Sequence, residues 1–126
     1  MKKILAVDDS PAWIGFHKKF IEEIFIEIEE DEYKLDTADS ARNGYDLIMQ
    51  NNDSPYDVII TDLQMESDFE PKLAGEWLAE QVKTFDKYFN TKVILCSGMY
   101  NIHRVAEKLN VDYIPKRVAI NDINQS

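Results

Sequence analysis

Three aspartates, a serine and a lysine in this chain share one local setting: each stands where a short apolar run stops. Asp8 and Asp9 follow Ile4 to Val7, Asp62 follows the run Val58-Ile59-Ile60, Ser97 follows Val93 to Cys96, and Lys116 follows Val111 to Pro115. Carboxylates gathered in one place repel one another and raise each other's pKa unless a cation sits among them. An all-oxygen set suits magnesium, which keeps several waters and takes one or two carboxylates together with phosphate oxygens. A magnesium ion there would neutralise an incoming phosphoryl group and let one carboxylate attack it, giving an acyl phosphate. Ser97 could hydrogen-bond a phosphoryl oxygen, and Lys116 could pair with it as a point charge. Asp62 is the acid not committed to a helix start, which favours it as the nucleophile. Taken alone, however, Asp62 is accounted for by capping the turn that follows. Only its company points to chemistry.

That company depends on the elements between. Val58-Ile59-Ile60 is a continuous β-branched run, which reads as a strand buried on both faces. Ile4–Val7, Lys92–Ser97 and Val111–Pro115 read as further strands, and Tyr33–Ala38 as a weaker one in which Leu35 and Thr37 alternate with charged residues. Ser10-Pro11 starts a helix, with a hydroxyl to cap orphan N–H groups and a proline at the first helical position. This helix carries Trp13, Phe16, Phe20 and Ile24 in one stripe and Ile14, Ile21, Phe25 and Ile28 in another. So wide an apolar face predicts deep burial, with a self-association surface as the alternative. Asp39-Ser40 begins a second helix with Tyr45, Leu47, Ile48 and Met49 as core candidates, ending in the turn formers Asn51 to Pro55. Gly75 leads into a third with Trp77, Leu78, Val82 and Phe85. Asn101 to Asn110 is a short fourth helix, and Arg117 to Ser126 permits at most a short final one. Five alternations of strand and helix call for an α/β, doubly wound, five-stranded parallel sheet with right-handed crossovers. The five polar residues then lie at the carboxyl ends of strands, where ligands bind in such sheets.

Composition narrows the partners. The 126 residues suit one domain, and 44% hydrophobic with 30% charged residues is ordinary for a soluble globular protein. A formal net charge of −10 argues against a nucleic-acid surface and suits a cation or a basic protein patch. The single cysteine, Cys96, excludes an intrachain disulfide and fits a reducing compartment; it reads as a buried strand residue rather than a nucleophile. No signal peptide or membrane span is visible, so a cytoplasmic protein is expected. His17 and His103 have no metal-like spacing and are expected at the surface.

In this combination the chain resembles the receiver domain of two-component response regulators over nearly its whole length. The likeness rests on Asp8-Asp9 after the first strand, Asp62 with Leu63-Gln64-Met65 after the third, Ser97-Gly98 after the fourth and Lys116 after the fifth. The resemblance implies a flavodoxin-like sheet of strand order 2-1-3-4-5 and magnesium-dependent phosphorylation of Asp62 by a histidine kinase or phosphotransfer protein. It assigns the magnesium to Asp9, Asp62 and the Gln64 backbone carbonyl, with Asp8 acting mainly through waters. It assigns Ser97 and Lys116 to the phosphoryl group, and Ser97 with Tyr113 to a switch of the protein-binding face. Gln64 and Met99 fall at the variable positions flanking the site; apolar Met99 would hold an attacking water poorly and so prolong the acyl phosphate. The family members modify only themselves and are not turnover enzymes. A single stand-alone receiver over residues 1–126, monomeric or weakly dimeric and without an output domain, is the expectation.

Three features depart from that pattern. The family carries a proline directly after the lysine, joined by a cis peptide; here the order is Pro115-Lys116-Arg117, so the path beyond Lys116 is expected to differ. Glu66 stands where a proline is usual. The interval from Asp62 to Gly75, 75 − 62 = 13 residues, implies an insertion within 66–73 that carries Glu66, Asp68 and Glu70 and reads as a solvated loop. Other classes fit less well. A haloacid dehalogenase type of phosphohydrolase wants Asp-x-Asp after the first strand, but Ser10 holds the second position after Asp8. Acids at that turn would repel a flavin phosphate. A receiver-like interaction module that works without phosphorylation stays open.

Overall fold

The apolar runs pair side by side. The computed structural model describes residues 1–28, 32–65 and 74–118. Within them β1 (Lys2–Val7), β2 (Tyr33–Ala38), β3 (Val58–Thr61), β4 (Lys92–Ser97) and β5 (Asp112–Pro115) form one parallel sheet in the order β2-β1-β3-β4-β5. The expected order is therefore borne out. Register aligns the carboxyl ends: Val7 pairs with Thr61, Thr61 with Leu95, and Ser97 with Pro115. The residue after each strand consequently emerges along one edge of the sheet.

Parallel neighbours need crossovers, and these are α1 (Pro11–Glu27), α2 (Ala41–Gln50), α3 (Ala74–Val82) and α4 (Ile102–Leu109), with a short 3-10 turn at Asp86–Tyr88. Ser10 and Ser40 cap α1 and α2, their hydroxyl oxygens accepting the Trp13 N–H at 3.4 Å and the Asn43 N–H at 3.0 Å. Asn110, with φ 56°, takes the left-handed turn that closes α4. No helix among the described residues is long and apolar enough to cross a membrane.

The alternating side chains of the strands feed two separate cores. Leu5, Val7, Ile59 and Leu95 point to one face, under Ile48 of α2, Leu78 of α3 and Ala106 of α4. Ile4, with the half-buried Val58, Ile60 and Leu35, points to the other, under Ile21 and Phe25 of α1. The central strand is thus sealed on one face and only partly covered on the other by described residues, unlike the symmetric burial its sequence suggests. Deep burial of α1 is likewise not found among the described residues. Its buried line is His17-Ile21-Phe25, four residues apart, while Ile24, Ile26 and Ile28 are 37%, 70% and 60% exposed. His17, expected at the surface, is buried because it continues that line. Met49 is exposed, one step round the helix from buried Ile48. Phe85 falls beyond α3 but still packs, its ring centroid 5.9 Å from Tyr45. Residues 116–118 are helical. Residues 29–31, the expected insertion at 66–73 and residues 119–126, where the rest of a short final helix is expected, lie outside the described residues.

Candidate functional site

Two turns build the site. The Asp8 N–H donates to the Ala38 carbonyl at 3.0 Å and the Asp62 N–H to the Val7 carbonyl at 2.9 Å, so each ladder continues one residue past its strand. In each carboxylate, one oxygen is then held by its own loop. Asp8 Oδ1 accepts the Ser10 N–H at 2.9 Å, and Asp62 Oδ1 accepts the Leu63 N–H at 2.7 Å. The remaining Oδ2 atoms converge on Lys116, whose Nζ lies 3.0 Å from both. Toward Asp62 the ammonium donates a hydrogen bond; the Asp8 Oδ2 receives the charge but no well-directed hydrogen bond from any described residue. Asp9 completes the group, since one carboxylate oxygen from each of Asp8, Asp9 and Asp62 lies within 4.8 Å of the others.

Gly75 fixes the roof of this site. A side chain there would overlap the Asp62 carbonyl oxygen, and the Gly75 N–H donates to the Leu63 carbonyl at 2.9 Å. α3 therefore starts hard against the loop that carries Asp62, and only glycine permits that approach.

Burial dominates the electrostatics. Asp8 and Asp62 are 1% and 7% exposed. Burial raises the Asp62 pKa above the ordinary carboxylate value and Asp8 adds to this, while the Lys116 charge and the Leu63 N–H pull it down without overcoming it. Burial opposes the Lys116 charge, but Asp8 and Asp62 outweigh it and its pKa ends above the usual lysine value. Among the described residues, Asp8 and Asp62 share the one Lys116 ammonium. The all-oxygen donor set of Asp8, Asp9 and Asp62 and the buried Asp8 Oδ2 without a hydrogen bond from a described residue fit a hard cation such as magnesium.

The remaining sequence-predicted residues are Ser97, Met99, Gln64 and Tyr113. Ser97, 2% exposed at the end of β4, accepts the Met99 N–H on its Oγ at 3.2 Å. Met99 is half-buried against the larger core. Gln64 is exposed, and Met65 beside it is buried. Tyr113 on β5 is 44% exposed and is not among the residues brought to the carboxylates. Two further residues near the site carry no signal of it in the sequence beyond their helix position. The Trp13 ring lies under Lys116, 4.6 Å from Nζ to ring centroid. His17, one turn further along α1, is held neutral: burial lowers its pKa to about 4, the Lys116 charge adds to the drop, and Asp62 partly offsets it. The available signal for Trp13 was its position in the first turn of the helix that follows Asp8-Asp9.

No family model matches this sequence, and no curated protein matches it. Solved structures do. The phosphorylated cyanobacterial phytochrome response regulator RcpA is 23% identical, with 91% of this chain and 80% of that one covered at a TM-score of 0.67. A two-component response regulator from Legionella pneumophila is 18% identical, with 96% and 94% covered and a TM-score of 0.65. The non-phosphorylated HemR receiver domain from Leptospira biflexa is 18% identical, with 92% and 82% covered and a TM-score of 0.59. At these identities the likeness is one of fold. This chain has the fold of response-regulator receiver domains.

Proposed function

We propose that this chain is a phosphoacceptor signalling domain in which Asp62 receives a phosphoryl group and the product alters a protein-binding face. The observation that carries the reading is the meeting of Asp8 and Asp62 on one Lys116 ammonium, 3.0 Å from each, at the carboxyl edge of a receiver-like sheet. The donor is a phosphohistidine of a histidine kinase or phosphotransfer protein, a partner class supported by the fold shared with response regulators. One Asp62 oxygen attacks the phosphorus. The bond from phosphorus to the donor's ring nitrogen breaks, its electrons leave with that nitrogen, and the nitrogen takes up a proton.

Lys116 starts on the Asp62 and Asp8 carboxylates and pairs with a phosphoryl oxygen once one is present. Ser97, whose oxygen accepts from Met99, keeps its hydroxyl proton to donate to another phosphoryl oxygen. Asp8, Asp9 and Asp62, with the Gln64 backbone carbonyl, would hold magnesium, which supplies neutralisation of the phosphoryl charge. Ser97 and half-exposed Tyr113 relay the change to the surface around α4 and β5, an added charge biasing a bistable element. Met99 and Gln64 stand at the positions that flank the site in receiver domains, and an apolar Met99 there would disfavour the water that hydrolyses the acyl phosphate. Asp62 gains and loses one group, so the chain is a signalling substrate rather than a turnover enzyme. The single cysteine supports a cytoplasmic setting.

Thermal unfolding with magnesium and beryllofluoride, a mimic of an acyl phosphate, tests this reading. Beryllofluoride added on top of magnesium should raise the wild-type Tm further and leave Asp62→Asn at its magnesium-only value. A wild type indifferent to both additions would make the chain a phosphorylation-independent interaction module instead.

A further inference from the structure

We infer that Trp13 is a positioning residue for Lys116, its indole face holding the ammonium beside Asp62; the inference rests on the phosphoacceptor reading. The Lys116 Nζ stands 4.6 Å from the Trp13 ring centroid, and the Lys116 side chain is only 14% exposed. A cation withdrawn from water gains more from an aromatic face than a hydrated one does. Among the described residues the ammonium therefore has three partners on three elements: Asp8 beyond β1, Asp62 beyond β3, and Trp13 in the first turn of α1.

The two kinds of partner differ in what can displace them. The Asp8 and Asp62 oxygens are the atoms a bound cation or a phosphoryl group would engage, so either event draws them away from the lysine. A ring face has no such competitor. Trp13 is thus the partner that keeps Lys116 at the site when its carboxylates are otherwise occupied.

The backbone around Lys116 makes this support useful. Its strand ends at Pro115, paired with Ser97, and Arg117 follows where receiver domains carry proline. Trp13 is anchored independently of that junction. Its N–H donates to the Ser10 cap, and its ring packs on Phe16 at 4.9 Å and lies 6.0 Å from His17.

The test uses the full chain. Trp77→Phe leaves Trp13 as the sole tryptophan, since the sequence has two. In that background, adding Lys116→Met to metal-free protein should shift the Trp13 emission maximum, because it removes a charge from the ring face. Separately, acetyl phosphate with magnesium should phosphorylate wild type and Trp13→Phe at rates within about threefold of each other, and Trp13→Leu roughly tenfold more slowly, the scale of a desolvated cation–π contact. Melting curves show that each variant is folded. Identical emission with and without the lysine overturns the inference, as does Trp13→Leu reacting at the wild-type rate. Equal slowing in the Phe and Leu variants also overturns it, because that marks packing rather than the ring face. A wild type that accepts no phosphoryl group defeats the phosphoacceptor reading instead, while the emission arm still decides whether Trp13 holds Lys116.

Discussion

On one face of the sheet, α2, α3 and α4 close over Leu5, Val7, Ile59 and Leu95, and all four strand residues are fully buried. On the other, α1 lies over Ile4, Val58 and Ile60, and only His17, Ile21 and Phe25 of the helix are buried. The site draws on both. The Asp62 loop is clamped by Gly75 and α3 on the first face, whereas Lys116 meets Trp13 of α1 on the second. The Asp62 loop is thereby fixed against packed backbone, while Lys116 rests on the less covered helix.

The contrast can be broken first at its strongest point. Leu78→Ala, a truncation in the sealed core, should cost about 3–5 kcal/mol in urea unfolding, while Ile24→Ala on the open side of α1 should stay within about 0.5 kcal/mol. Equal costs would erase the distinction between the faces. A second test concerns acid. His17 has a pKa of about 4 in the folded chain against 6.5 when unfolded. The unfolded state therefore binds the extra proton in that window, and the stability held above pH 6.5 is lost as pH falls toward 4. The ceiling is about 3 kcal/mol at roughly 1.4 kcal/mol per unit. His17→Leu should flatten this limb; an unchanged acid profile would show that His17 is not buried neutral. Gly75→Ala comes next, at about 1–3 kcal/mol, the usual cost of overpacking. It should also slow modification of Asp62, since the added methyl must push α3 from the acceptor loop. The smallest effect belongs to the exposed Lys92–Asp112 pair at 3.2 Å, where Lys92→Ala should change stability by less than about 1 kcal/mol.

The strand ends were legible because an apolar run that stops at Asp8, Asp62 or Ser97 fixes both the element and the edge on which the polar residue emerges. Strand order followed from the resemblance and holds. What was not legible is how helix faces rotate. The stripe through Trp13, Phe16, Phe20 and Ile24 fitted helical spacing as well as the line actually buried, His17-Ile21-Phe25, because aromatic and aliphatic residues ring much of α1. Periodicity gave no reason to put an imidazole in a core, and so His17 was misplaced. The same holds for Trp13: spacing along one helix does not reveal that a lysine from the far end of the chain will lie on its ring. Met49 beside Ile48 shows the same ambiguity of one helical step.

The most direct measurement is site localisation of the covalent product. The chain is incubated with acetyl phosphate and magnesium, the acyl phosphate is reduced with borohydride, and peptides are sequenced by mass spectrometry. The expected result is homoserine at position 62 that is lost when magnesium is omitted. Reduction at Asp8 or Asp9 instead, or no reduced residue under conditions in which the protein stays folded, would contradict Asp62 as the phosphoacceptor.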